Sequence, residues 1–327
     1  MINGKNKLTK KVPNIVKRIQ SNPPPEINYA FQKHVSYSQM SIYKQCPHRW
    51  KLQYKDKIKR FTSSIHTVFG TAIHEVIQEF LDIRYNVSKI KANKIDLEKL
   101  FQDKFAEEYQ KQYKSNSKTH FSSAGEMREF FEDGTLILKE FKKDINLNFS
   151  TKGTYLVGCE LPLVIPPNET YNNVLYTGYL DVVLYNEVVD KFEIIDIKTS
   201  TNGWNEYAKK DDMKKYQLLL YKQYFSEQYE IPIDKIDVKF FIVKRKLWEN
   251  SEHKLSRIQN YGKPYFAQGK TKLKQATNTI NDFIHSVFER NGKIKEQKYE
   301  KVVSKWNCNF CPFKEDKEFC GAGVVFQ

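Results

Sequence analysis

Residues 174–199 read VLYTGYLDVVLYNEVVDKFEIIDIKT. Two runs rich in Val, Ile, Leu and Tyr, 174–185 and 191–199, flank the polar segment 186–190, and the pattern predicts a β-hairpin. In the second run Asp196 and Lys198 are two residues apart, so the pleat sends both side chains to one face while Ile195 and Ile197 take the other. Asp181 lies in the partner run, on the face opposite Leu180, Val182 and Leu184. A hairpin of suitable register then brings it beside Asp196. Glu160, in the preceding run YLVGCELPLVI (155–165), can join them.

Three carboxylates converging in a half-buried cleft repel one another unless they are protonated or share a cation. An all-oxygen donor set is the kind that Mg²⁺ or Mn²⁺ prefers. Such an ion polarises a phosphoryl oxygen and acidifies a bound water, and Lys198 can orient that water or offset charge on the phosphate. The chemistry implied is phosphodiester hydrolysis. An isolated D-x-K is more often an ordinary charge pairing on a solvated sheet face, so its context has to decide.

Outward from the hairpin, a helix over about 211–229 and a strand at 237–245 give a strand, hairpin, helix, strand order. That order predicts an α/β core with one sheet edge to cover. The first 150 residues read as mainly helical, with helices over 38–57 (interrupted at Pro47), 71–85, 96–114 and 125–147, and a further helix spans 271–290. Residues 1–34 combine basic charge with Pro23-Pro24-Pro25 and little periodicity, and are expected to form a flexible arm. The expected organisation is therefore arm 1–34, helical region 35–150, catalytic core 151–250 and C-terminal segment 251–327.

The chain has 327 residues, with 54 Lys and Arg against 39 Asp and Glu, a formal charge of +15 that suits a polyanionic partner. It has no stretch of 18 apolar residues and no apolar block after its basic start, so a soluble protein of the cytoplasm or another intracellular compartment, without membrane contact, is expected. Gly269-Lys270-Thr271 looks like the end of a phosphate-binding loop, but Pro264 stands where its first glycine belongs. Any unwinding activity would have to come from a separate partner.

Five cysteines are present, and Cys308, Cys311 and Cys320 crowd the C-terminus. Cys308-x2-Cys311 puts two thiolates within reach of one metal centre, Cys320 can return as a third, and Cys46 is the candidate fourth. Cys159 is expected to pack in the sheet as a small apolar side chain. Trp306, Phe310, Phe313 and Phe319 are expected to shield the centre. Joining Cys46 to the tail closes a loop of roughly 260 residues and on a chain-entropy argument contributes on the order of 5 kcal/mol.

Gly178-Tyr179-Leu180-Asp181 followed by Asp196-Ile197-Lys198 resembles the pattern of the PD-(D/E)XK nuclease superfamily, specifically its RecB-like branch. Gly70-Thr71-Ala72-Ile73-His74 is similar to the family's G-x-x-x-H, and Gln217-Leu218-Leu219-Leu220-Tyr221 to its Q-x-x-x-Y helix, in matching order along the chain. The resemblance implies a restriction-endonuclease-like α/β fold: a central mixed sheet flanked by helices, a helical N-terminal region and a cysteine-clamped tail. It implies Mg²⁺ or Mn²⁺ held by His74, Glu160, Asp181 and Asp196, catalysis by Lys198, and DNA contacts from Gln217 and Tyr221. One early and three late cysteines resemble the iron-sulfur members, of the AddB and CRISPR-associated kinds, which implies a 4Fe-4S cluster on Cys46, Cys308, Cys311 and Cys320. The nine-residue step from Cys311 to Cys320 is longer than usual there, and structural Zn²⁺ is the alternative. The activity implied is an exonuclease on single-stranded DNA or DNA ends, in recombination, repair or processing, with a separate helicase or recombination partner possible. A structure-specific endonuclease and a non-catalytic DNA-binding or recombination-accessory module are the alternatives.

Overall fold

The structure is a computed structural model describing residues 11–321 apart from 29, 31, 62 and 249–254. Its centre is the hairpin of β3 (Val174–Asn186) and β4 (Lys191–Ser200), paired antiparallel from Asn186↔Lys191 up to Val182↔Ile195. Asn186 closes the turn: its Oδ1 accepts the N–H groups of Val188 (2.9 Å) and Val189 (3.3 Å), and Asp190 takes a left-handed φ of 50°. β2 (Thr154–Ile165) runs antiparallel along one edge of β3. β1 (Lys33–Val35) runs parallel to the start of β3, β5 (Ile236–Lys244) parallel to β4, and β6 (Ile258–Tyr261) antiparallel to β5.

Helices cover both faces of this six-stranded mixed sheet. On one side Tyr176, Leu180, Ile194 and Val238 pack with α7 (Asp212–Tyr229) and α8 (Lys270–Val287) through Leu219, Phe225, Ile280 and Phe283. On the other, Val182, Leu184, Ile195, Ile197 and Phe241 pack with α4 (Ile65–Asp82), α5 (Leu97–Ser115) and α6 (Ala124–Lys143), chiefly through Phe69, Ile73, Ile77, Phe101 and Phe141. Two independent apolar cores, one per face, hold the sheet as the middle of three layers. The expected α/β architecture with flanking helices is thus present.

The edges are closed in two ways. β6 covers β5, and side chains answer the outer edge of β2: Gln20 donates to the carbonyls of Leu156 and Val157, while Gln228 accepts Val164 N–H at 2.7 Å and donates to Pro162 O at 3.1 Å.

Two expectations change, and a third is met. The stretch expected as a flexible arm over 1–34 contains α1 (Asn14–Gln20), whose Val16 and Ile19 are buried in the first core, and the start of β1; its first ten residues lie outside the described residues. Six basic residues in the first twenty masked a two-residue apolar stripe there. The helix expected from Thr71 begins at Ile65, because Ser64 caps it by accepting Thr67 N–H. The helical 38–57 stretch divides into α2 (Tyr37–Gln45) and α3 (Pro47–Trp50), broken where expected, at Cys46-Pro47.

Candidate active site at the opening of the central hairpin

The register of the hairpin places its acids. The last β3–β4 pair is Val182↔Ile195, so Asp181 and Asp196 stand opposite one another one step beyond it, where the ladder opens. Asp181 Oδ2 takes the place of a backbone acceptor and receives Ile197 N–H at 2.7 Å. Asp196 is 1% exposed, with Lys198 Nζ 2.7 Å from its Oδ2 and Gln217 Nε2 donating to its Oδ1 at 2.9 Å. Gln217 also donates to Tyr221 Oη at 3.1 Å, so the i,i+4 pair on α7 is aligned on the acid.

The second half of the site comes from α4. Gly70, His74 and Gln78 recur every four residues and so lie on one helical stripe. A Cβ on Gly70 would come within 3.2 Å of Thr199 Oγ1, so this glycine lets α4 approach β4. One turn on, His74 Nδ1 is 3.6 Å from Asp181 Oδ2. One turn further, Gln78 Nε2 donates to Glu160 Oε1 at 2.5 Å and to the Asp181 carbonyl at 3.1 Å. Gln78 was missed in the sequence, although its place four residues after His74 is a usable signal. Gly70→Val is expected to tilt this stripe away from the acids and lower turnover on the order of 100-fold, the scale of a 1 Å misplacement. Circular dichroism alongside kinetics checks it, and unchanged turnover in a folded variant would refute the role given to this contact.

Asp181 does not sit where simple alternation put it. It was expected to face away from Leu180, Val182 and Leu184 together, yet Leu180 belongs to the first core and Val182 and Leu184 to the second. β2 changes faces at the same level, with Leu161 and Leu163 against the first core and Cys159 against the second. Between them Glu160 has φ 49°, and the β2–β3 pairs step from Leu161↔Leu180 to Cys159↔Val182. A left-handed glutamate is uncommon and costs about 1 kcal/mol or more. The kink it makes carries Glu160 and Asp181 out of the regular pleat and towards α4.

Burial dominates the electrostatics. It pushes the carboxyls of both Asp181 and Asp196 up to about 6, against the pull of Lys198 on each. Burial, followed by the Lys198 ammonium, pushes His74 down to about 4, leaving it neutral at neutral pH. Burial also acts to lower Lys198, but Asp196 and then Asp181 hold it raised. The cluster therefore presents two acids whose charge is costly, one neutral imidazole and one firm cation.

Among the described residues, no three His, Cys, Asp or Glu side chains stand close enough together to hold an ion as they are. Each carboxylate instead has its own partner: Ile197 N–H for Asp181, Lys198 and Gln217 for Asp196, and Gln78 for Glu160. The donor chemistry nevertheless fits a hard divalent cation, since it offers carboxylate oxygens that burial leaves short of compensating positive charge.

Cys46, Cys308, Cys311 and Cys320 are free thiols lining one cavity with His48 and Arg49. Burial raises the Cys311 thiol, and Cys320 and Cys46 add smaller contributions. The tail is tied to the α3 region by His48 Nε2 with Phe319 O (2.9 Å), His48 N–H to Glu300 O (3.1 Å) and Arg60 with Asp316 (2.7 Å). Phe313 is buried there as expected, but Trp306 and Phe310 are 89% and 85% exposed and shield nothing. Cys159 packs partly buried against the second core, and burial pushes its thiol up to about 12.

A mixed sheet between helical layers, with two acids and a lysine where its central hairpin opens, defines the restriction-endonuclease-like class of α/β proteins. The family model of the PD-(D/E)XK nuclease superfamily matches residues 34–315, and the chain belongs to that superfamily. Its members are in general hydrolytic nucleases and typically use Mg²⁺ or Mn²⁺. No curated protein matches the chain. Among the described residues no helix is long and apolar enough to cross a membrane.

Proposed function

We propose that the chain is a Mg²⁺- or Mn²⁺-dependent deoxyribonuclease of the RecB-like branch, acting as an exonuclease on single-stranded DNA or DNA ends. The observation that carries this reading is the placement of Asp181 opposite Asp196 beyond the last hairpin pair, with Lys198 alongside. Asp181, Asp196 and Glu160 would hold the cation together with His74, whose imidazole is neutral and so free to ligate. The cation would supply Lewis acidity at a phosphoryl oxygen and a more acidic bound water. Lys198 orients the attacking water and offsets charge developing on the phosphate. Gln217 fixes Asp196 and, with Tyr221, borders the path of the DNA strand. The end preference follows from the family resemblance, as does a role in recombination, repair or processing beside a separate helicase.

The same reading assigns a 4Fe-4S cluster to Cys46, Cys308, Cys311 and Cys320, supported by their shared cavity and by the nearby cations Arg49, Lys301 and Lys314, which suit a negatively charged thiolate cluster. Anaerobic purification is expected to give brown protein with about four iron atoms. Cys311→Ser should lose the colour and unfold at lower temperature, since the loop closure is worth on the order of 5 kcal/mol. One zinc and no iron would replace the cluster assignment. End-labelled DNA digested with Mn²⁺ and with chelator tests the nuclease, and its ladder gives the polarity.

A further inference from the structure

Beside the acids the sheet leaves a gap. β1 pairs with β3 only up to Tyr176, and β4 begins to pair only at Val182, on the same edge of β3, because β2 occupies the other edge at both levels. Thr177–Asp181 therefore runs without a neighbouring strand on that side, among the described residues. A cavity of about 330 Å³ opens there, walled by the first turn of α2, by Tyr176–Tyr179 and by Gln217 and Tyr221 of α7. Its size falls in the usual range for small-molecule sites, roughly 300–1,000 Å³.

Its lining is unlike the rest of this basic chain. Among the described residues no Lys, Arg, Asp or Glu borders it; the walls are tyrosine rings, hydroxyls and amides. His34, the one ionisable imidazole there, is lowered by burial and then by Lys57 and Lys33. No lysine or arginine lines it for a phosphate to bind, among the described residues, whereas a neutral aromatic heterocycle would find ring faces to stack on and polar edges to bond. Tyr176 is fully buried, yet its Oη has no hydrogen-bond partner among the described residues. Tyr179, three residues along the unpaired edge, is 60% exposed at the rim. The α2 wall is braced, because Gln39 donates to His34 O at 3.0 Å and accepts from the buried Trp50 Nε1 at 3.3 Å.

The pocket is also continuous with the acids, since Gln217 lines it and donates to Asp196. We propose that it receives one unstacked nucleobase, that of the nucleotide adjoining the scissile phosphate, with Tyr179 as the stacking platform and Tyr176 Oη bonding the base edge. This rests on the nuclease reading above and deepens it. A base still paired in a duplex offers neither a free face nor a free Watson–Crick edge, so the pocket selects single strands and frayed ends. Selection among bases is weak, because every base has a face to stack.

The test uses the full chain with Mn²⁺ and three probes: a single-stranded oligonucleotide, the same strand with one abasic site moved nucleotide by nucleotide, and a strand built wholly of abasic tetrahydrofuran units, a phosphodiester with no base and no aromatic ring. The wild type should lose between about 5- and 100-fold in kcat/KM when the abasic site reaches one position beside the cleaved bond, the worth of one base–aromatic stack. Tyr179→Ala should show a similar loss on the intact strand, mostly in KM, and little further loss on the abasic one. Tyr176→Phe should lose less, and both variants should cleave the base-free diester as the wild type does. Equal wild-type cleavage of intact and abasic strands would overturn the proposal. So would variants that lose equally on the base-free diester, because the tyrosines would then be structural. If the wild type cleaves none of the three, the nuclease reading has failed instead. Fluorescence titration with the two oligonucleotides in chelator then decides the pocket: weaker binding of the abasic strand, with Tyr179→Ala removing the difference, upholds it, and equal binding refutes it.

Discussion

Asp196→Asn and Lys198→Ala are each expected to lower metal-dependent DNA hydrolysis by at least about 1,000-fold, the scale of removing one preorganised charge from a transition state. The two variants should differ in stability. Asp196 is a carboxylate at 1% exposure, and burial pushes its protonation up to about 6. Asparagine keeps its volume and its acceptor for Gln217 without the cost of a buried charge, so Asp196→Asn should melt at or above the wild-type temperature in chelator. Lys198→Ala removes the cation 2.7 Å from that carboxylate and leaves it uncompensated, so it should melt lower. Digestion of end-labelled DNA and calorimetry on the same preparations decide. Full activity in Asp196→Asn would show that the hydrolysis is performed elsewhere.

Added Mn²⁺ should raise the melting temperature at pH 8 and have little effect at pH 5. At a hundredfold excess over Kd the gain is about 2.7 kcal/mol, or a few degrees for a chain of this size. The sign follows from the protonation of the site. Asp181 and Asp196 are both pushed up to about 6, so the cation must displace protons below that pH and meets ionised carboxylates above it. In chelator the same two acids act against the fold: their contribution is fully present below about pH 4 and is lost as pH rises through 6, because the unfolded chain releases its protons first. His74, pushed down to about 4, works the other way, its contribution being lost as pH falls below its ordinary value of 6.5. Two acids against one imidazole leave a net loss of stability as pH rises between 4 and 6. Because surface acids add their own slopes, the Mn²⁺-minus-chelator difference is the quantity to measure. A difference independent of pH, or one that persists in Asp196→Asn, would remove the carboxylates from the cation site.

Much of this site is legible in the chain. The period-two pattern around Asp196-Ile197-Lys198 sets which face each residue takes, and the amino group does lie against the carboxylate. The turn at Asn186 and the stop at Pro47 are equally local, since each follows from one residue's backbone chemistry. By contrast, alternation misplaced Asp181, because the left-handed turn at Glu160 answers to packing from α4 and not to any preference of glutamate. Likewise α1 was hidden by its charge, although two buried side chains suffice to dock it.

What the sequence determined by itself was the central hairpin and the main helices around it, the shared face of Asp196 and Lys198, and the ordered acids, lysine and glycines that resemble the family pattern. Tertiary structure alone decided that Val182 meets Ile195, that Gln78 bridges Glu160 and Asp181, and that β3 is left bare between β1 and β4. A strand's pattern repeats every two residues and fits many registers equally well. Only the packing of both cores selects one of them, and with it which acids meet and where a substrate can enter.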